Sequence, residues 1–249
     1  SESDRLVFET DGLLIAQLVQ DPLLRDYQVV VIDEAHERKV QIDLLLLYLR
    51  EIVQSGERPD FRVVIMSATI DTSRYLDYYQ GTSVGVIEIP GGTVYPVETI
   101  WLPPGDKTTP LDRALRVLEE DPEVNVLLFT TSGGQARQMC RRVRAANPRV
   151  YCVEVYGEMP ADLLLSATTP GAYLQAGYRQ KLVIATNLAE SSITIPDVSV
   201  VVDSGYELVS TWHPDLYGTA LEKRKVTQAG ALQRRGRVGR TGPGRCYLM

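Results

Sequence analysis

Two kinds of stretch alternate along the chain. Short apolar runs rich in Val and Ile give way to polar, often Gly-containing turns, and these lead into longer segments with apolar residues three and four apart. The first kind reads as strands and the second as amphipathic helices. Runs at 6–8, 29–32, 61–66 and 84–89 predict strands, with helices at 13–20, 43–54 and 73–79 between them. The breaker-rich Pro90-Gly91-Gly92 places a domain boundary near Gly91. The alternation then restarts, with strands at 95–101, 124–129, 150–155, 182–185, 198–202 and 244–248. Helices are expected at 111–120, over a basic stretch ending at 146, and at 227–235. Residues 160–177 should hold a helix that Thr168-Thr169-Pro170-Gly171 interrupts, and 206–226 reads as a hairpin turning near Pro214-Asp215 or Tyr217-Gly218. The fold class that follows is α/β, with two βαβ-type halves in tandem over 1–91 and 92–249.

The run at 29–32 organises the rest. Val29-Val30-Val31-Ile32 is unbroken and β-branched, the pattern of a parallel strand buried on both faces, and it runs straight into Asp33 and Glu34. Ligands of parallel α/β sheets bind outside the carboxyl ends of the strands. Two carboxylates there suit a hard cation and a water to be deprotonated. A solvated acidic turn is the plain alternative. A second concentration of chemistry is Gln233-Arg234-Arg235-Gly236-Arg237-Val238-Gly239-Arg240. Arg237 and Arg240, three apart, would project to one side of a helix. Arginine clamps phosphate oxygens in pairs and does not lose its charge. A basic patch for a nucleic-acid backbone competes with that reading, while Gly236 and Gly239 favour close backbone approach in a tight site.

Composition narrows the classes. With 249 residues, 44% apolar and 23% charged, the chain is an ordinary globular one, large enough for a substantial core. A net charge of −6 excludes a generally basic surface, so nucleic acid would need a local groove. Cys140, Cys152 and Cys246 show no CxxC spacing and read as reduced thiols of a cytosolic-type compartment. No run approaches a membrane span, and there is no signal-peptide pattern. A start at Ser1 and a stop just past 245–248 lead us to expect a piece of a longer polypeptide with further domains.

Four motifs now stand in order: Asp33-Glu34-Ala35-His36, Ser67-Ala68-Thr69, the block ATNLAESSITI at 185–195, and QRRGRVGR at 233–240. Together they resemble the DEAH-box group of superfamily-two RNA helicases over nearly the whole chain. The QRRGRVGR variant is also similar to viral helicases of the flavivirus type. The resemblance implies two tandem RecA-like parallel-sheet domains, the first truncated at its N-terminus, working with ATP or another NTP, Mg²⁺ and single-stranded RNA. It implies that Asp33 holds Mg²⁺, with Glu34 beside it as the base that activates water. His36 would link the nucleotide site to Ser67 and Thr69, which couple hydrolysis to domain motion. Gln233, Arg237 and Arg240 would reach the γ-phosphate across the interdomain cleft, the arginines stabilising transition-state charge. Thr10, Asp11 and Gly12 match an RNA-contacting motif, Thr186 and Asn187 would touch the RNA backbone, and the hairpin at 206–226 would separate strands. Read from the residues alone, Thr10 and Asp11 stay equally open to an ordinary helix cap. Trp212, on the hairpin, is a better candidate for base stacking than Trp101. Cytoplasm, nucleus or a viral replication complex would be the setting.

One departure matters. Nothing matches the phosphate loop G-x-x-x-x-G-K-[ST]; Gly105-Asp106-Lys107-Thr108 comes nearest, but Asp106 separates Gly from Lys. The chain is therefore expected to be an internal fragment that does not hydrolyse ATP by itself. The competing class is a degenerate module that binds RNA or a partner without catalysis. Glu34, Arg237 and Arg240 argue against it, since a non-catalytic binder needs none of them. A DNA translocase of the same superfamily is a third reading, which the block at 185–195 disfavours.

Overall fold

A computed structural model describes residues 5–67, 72–89, 94–103, 105–190 and 193–249. The chain divides into two compact units, 1–89 and 90–249. The boundary expected at Gly91 and the coupling residue Thr69 lie outside the described residues.

The first unit pairs α1 (Asp11–Gln20) and α2 (Val40–Ser55) with a two-stranded parallel sheet, β1 (Val29–Ile32) and β2 (Arg62–Ile65), and ends with the short α3 (Thr72–Tyr78). Its core is one-sided. Leu14 and Leu18 of α1 and Ile42, Leu45, Leu46, Leu49 and Ile52 of α2 pack on Val30 and Ile32. Alternate residues of β1 point the other way, and Val29 and Val31 are each 50% exposed. This corrects the expectation of a strand buried on both faces. Side-chain type shows that a strand can be buried, but a second layer must be present to bury it. The strands expected at 6–8 and 84–89 are also not formed; those residues carry no regular structure, and Phe8 and Ile87 are each 89% exposed. A β-branched run without a ladder partner stays irregular, because its backbone groups are satisfied by water instead.

The second unit is a six-stranded, all-parallel sheet. Its strands are β3 (Val97–Trp101), β4 (Val126–Phe129), β5 (Val150–Val155), β6 (Gln180–Ala185), β7 (Val200–Asp203) and β10 (Gly244–Leu248), in the order β3-β10-β7-β4-β6-β5. Helices α4 (Pro110–Glu120) and α5 (Gly133–Ala146) cover one face, meeting Val126, Leu128, Leu182, Ile184, Val200 and Val202. The other face, with Leu127, Phe129, Val183 and Val201, lies under α6 (Ala161–Thr168), Leu188, Ala189, Ile193, Ile195, Val198 and Val238. The breaker at 168–171 does interrupt the helical stretch: α6 stops at Thr168 and α7 (Ala172–Gln175) follows a left-handed Gly171.

Between β7 and β10 the chain makes the antiparallel hairpin β8 (Tyr206–His213) and β9 (Gly218–Lys225), then α8 (Gln228–Arg235). Pro214–Leu216 forms a turn of 3-10 helix, and Tyr217 closes it with φ +44°. Helix α8 is capped by Thr227, whose hydroxyl accepts from the Gly230 amide at 3.1 Å.

The cysteines depart from expectation. Cys140 of α5 and Cys152 of β5 form a disulfide, and only Cys246 is a free, buried thiol. Helix α5 folds back onto the strand it leads into, so two residues 12 apart in sequence come to a Cα–Cα distance of 5.6 Å. Burial pushes the Cys246 thiol up to about 12, with the Asp203 carboxylate adding to the shift. Among the described residues no helix is long and apolar enough to cross a membrane.

Candidate functional site

The acidic pair sits at the carboxyl end of β1. Backbone bonds tie that end to β2: Met66 N–H donates to Ile32 O at 2.8 Å, and Ala35 N–H donates to Met66 O at 3.1 Å. Between those ties Glu34 takes a left-handed conformation, φ +51° and ψ +37°, with its amide donating to Asp33 Oδ1 at 2.8 Å. A non-glycine residue pays a conformational cost there, and such outliers cluster at functional sites. His36 follows on a turn of 3-10 helix. Its Nδ1 lies 3.4 Å from Glu34 Oε2 and 3.2 Å from Ser67 Oγ, beyond the end of β2. The imidazole thus joins the acid of one strand end to the hydroxyl of the next. Asp33 is exposed and Glu34 partly so.

Among the described residues no group of three or more His, Cys, Asp or Glu side chains could enclose a metal ion. Asp33 and Glu34 still fit Mg²⁺, which usually takes one or two carboxylates and completes its shell with water and substrate phosphate. At the start of α1, Thr10 occupies the N-cap with no side-chain capping bond, and Asp11 Oδ1 accepts from the Gly12 amide at 2.9 Å.

In the second unit Thr186 and Asn187 follow the carboxyl end of β6, Thr186 buried and Asn187 exposed. Gln233 is on the last turn of α8, but Arg237 and Arg240 are not on a helix at all. Helix α8 ends at Arg235, Gly236 caps it, and Gly239 turns with φ +76°. The expectation that both arginines leave one helical face is therefore corrected. The chain turns there because fully buried Val238 seats against Gly244, where an added Cβ would lie 2.8 Å from Val238 Cβ. Arg237 Nη1 donates to Ile193 O at 3.3 Å and its Nη2 bonds Glu190 O, while exposed Arg240 returns to Gly236 O at 3.0 Å.

Sequence reasoning missed the most buried charge of this region. Arg234, 0% exposed, donates from Nε to Glu190 Oε2 and from Nη1 to Asp203 Oδ1, both at 2.8 Å, and lies 4.9 Å over the Phe129 ring. Burial works against its charge, but Asp203 and Glu190 outweigh burial and hold the guanidinium above its ordinary value. The acids lie 31 and 44 residues from Arg234, so no local pattern announces the cluster. Arg235, beside it, fastens α8 to the edge strand through Thr99 Oγ1 and Val97 O, both at 2.9 Å.

The register of the hairpin sorts its side chains. Tyr206, Leu208, Ser210 and Trp212 share one side with Lys225, Lys223, Leu221 and Thr219, and Lys223 Nζ stands 4.3 Å over the Tyr206 ring. The other side carries the pairs Glu207–Arg224 (2.9 Å) and Glu222–His213 (3.0 Å). Trp212 is 58% exposed. A cavity of about 380 Å³ opens at the opposite, amino-terminal end of the sheet, beside the 2.7 Å Arg245–Asp121 pair, and touches none of these residues.

The helicase conserved C-terminal domain matches residues 106–242. An Acanthamoeba polyphaga mimivirus protein carrying the name of ATP-dependent RNA helicase L540 is 48% identical over 99% of the chain and 36% of its own length. The pre-mRNA-splicing factor ATP-dependent RNA helicase prp22 of Schizosaccharomyces pombe is 34% identical over 100% of the chain and 21% of its own length. The crystal structure of the Escherichia coli DEAH/RHA helicase HrpB superposes with a TM-score of 0.80 at 32% identity, covering 96% of the chain and 30% of HrpB. The chain thus spans about a third or less of the length of these relatives. With the domain match extending over more than half of its residues, the chain belongs to the helicase conserved C-terminal domain family.

Proposed function

We propose that this chain supplies the two RecA-like units of an NTP-dependent RNA helicase, in which nucleotide hydrolysis drives movement along RNA. The observation that carries the reading is the joining of Glu34, His36 and Ser67 at neighbouring carboxyl ends of parallel strands. In this reading Glu34 takes the proton of the attacking water. His36 holds Glu34 and links it to Ser67 and Thr69. Mg²⁺, held by Asp33 with Glu34 beside it, would neutralise phosphate charge. Gln233, Arg237 and Arg240 stabilise charge on the transferred phosphoryl group. Thr10, Asp11, Gly12, Thr186 and Asn187 contact the RNA backbone, where exposed hydroxyls, amides and helix starts receive phosphate oxygens. The aromatic and basic side of the hairpin, with Trp212 and Lys223, stacks against bases. Because no phosphate loop occurs in residues 1–249, the proposal includes that these residues alone turn over no NTP.

The test uses the natural polypeptide that carries this sequence. Arg237→Ala and Arg240→Ala should each lower NTP turnover by about 10³-fold or more, with RNA affinity and its salt dependence retained. If RNA affinity falls instead, with a shallower salt slope and turnover intact, the arginines are a backbone-binding patch and the assignment is wrong. Turnover by residues 1–249 that disappears in Glu34→Gln would refute the expected inactivity of the isolated chain.

A further inference from the structure

Open parallel sheets place ligands where neighbouring strands send their connections to opposite sides. In the second unit that point lies between β4 and β7: β4 leads through α5 to one side of the sheet, and β7 leads through α8 to the other. Here the crevice is filled by the chain's own Arg234, set over Phe129 at the end of β4 and against Asp203 at the end of β7. Arg234 is the largest fully buried side chain among the described residues.

The guanidinium reaches polar groups of four residues at once. Besides Glu190 and Asp203, its Nη1 donates to Tyr206 O at 3.3 Å and its Nη2 stands 3.7 Å from Glu207 Oε2. Tyr206 and Glu207 are the first residues of the hairpin. Asp203 Oδ1 also accepts from the Gly205 amide at 2.9 Å, fixing the left-handed turn (φ +71°) that launches β8. The returning strand joins the same root, where Arg224 Nε donates to Glu207 Oε1 at 2.9 Å and the Val226 amide to Gly205 O at 2.9 Å. On the far side Glu190 is shared, its carboxylate bonded to Arg234 and its carbonyl oxygen to Arg237.

Two further details define the cluster. Gly230 lets α8 come close: a Cβ there would lie 2.9 Å from Glu190 Oε1 and 2.8 Å from Val226 Cγ2. And the pairing is incomplete. Asp203 Oδ2 and Arg234 Nη2 are buried and make no hydrogen bond to the described protein atoms. With Asp203 already bonded to Nη1 through Oδ1, a second arrangement is open to the guanidinium, in which Nη2 exchanges Glu207 for Asp203 Oδ2.

We infer that Arg234 is a positioning residue that couples the root of the hairpin to the segment holding Arg237, so that strain on the hairpin from bound RNA shifts Arg237 through Glu190. The inference rests on the proposed roles of Arg237 at phosphate and of the hairpin at RNA. Its conduit is Glu207–Arg234–Glu190, on the side of the hairpin away from Trp212 and Lys223.

The experiment measures NTP turnover with and without single-stranded RNA, nucleotide KM and RNA Kd for the natural polypeptide and its Glu207→Gln, Arg234→Lys and double variants. Coupling predicts that Glu207→Gln cuts the RNA stimulation of kcat by about 5-fold or more, with RNA-free turnover, KM and Kd unchanged. It also predicts that the double variant is no worse than Arg234→Lys alone. Equal loss with and without RNA, or additive losses, would mean a structural role only and overturn the inference. If Arg234→Lys fails to fold, Glu207→Gln decides the matter alone. Unaltered stimulation alongside loss of turnover in Arg237→Ala sinks the coupling and leaves the helicase reading standing. Intact turnover in Arg237→Ala sinks both.

Discussion

Each unit contains a run of three valines in a parallel strand, and the two runs have opposite fates. Val200, Val201 and Val202 are all 0% exposed, between helices on one face of the sheet and Ala189, Ile195 and Val198 on the other. Val29 and Val31 are half exposed, and of the three only Val30 is buried. Identical chemistry is therefore core in one place and surface in the other. Among the described residues, what differs is the number of layers and neighbouring strands: six strands covered twice, against two covered once. Burial is a property of the assembly around a strand, and the side chain only makes it favourable.

The comparison can be strained experimentally, because Trp101 and Trp212 are the only two tryptophans and both belong to residues 90–249. Tryptophan fluorescence then reports the second unit, while far-ultraviolet circular dichroism reports both. The largest effect should come from Arg234→Met. It leaves Glu190, Asp203 and Glu207 facing one another out of water and should cost the second unit about 3–5 kcal/mol in urea unfolding. A shift confined to the dichroism signal would place the damage in the wrong unit. Next is the Cys140–Cys152 bridge, which closes a loop of 12 residues. Its removal by Cys140→Ser with Cys152→Ser should cost about 3 kcal/mol, again seen by fluorescence. An unchanged midpoint on adding reductant to the parent chain would show that the thiols are not bonded in solution.

The valines themselves give the sharpest contrast. Val201→Ala should cost about 2 kcal/mol and Val31→Ala less than about 1. Equal costs would mean that the open face of the first unit is covered in solution. The smallest effect concerns Lys181, 0% exposed, with Nζ donating to Pro196 O at 2.9 Å and 3.7 Å from Asp197. Burial holds its ammonium below the ordinary lysine value, and Asp197 pulls partly back. Between that depressed value and the ordinary one the unfolded chain binds more protons than the folded chain. This residue therefore makes stability rise with pH through that window. Lys181→Met should flatten the rise in urea midpoint from neutral to alkaline pH. A steeper rise in the variant would reverse the assigned sign.

Much of the second unit was legible because its signals are local. Unbroken apolar runs mark β4, β6 and β7, and in the fold their odd and even residues divide between two cores. Thr227 marks the start of α8, and Thr168-Thr169-Pro170-Gly171 marks the break between two helices. At the candidate site, the order strand, Asp33, Glu34, His36 is local too, and the placement of His36 between Glu34 and Ser67 follows from two adjacent strand ends. What escaped was not local. The false strands at 6–8 and 84–89 had the right residues without a neighbour to pair with. The helical presentation of Arg237 and Arg240 failed because a buried valine three residues past the helix end sets the course of the chain.

The sequence by itself determined which motifs are present and in what order they come, since motif, turn and periodicity are written in neighbouring positions. The tertiary structure alone decided which of them share an environment. Glu190, Asp203, Glu207 and Arg234 are separated by up to 44 residues and meet because β7, the hairpin and α8 converge at one end of one sheet. Charge attraction acts through space with no memory of position along the chain, so the pairing of those charges became visible only when the fold had brought them within hydrogen-bonding distance.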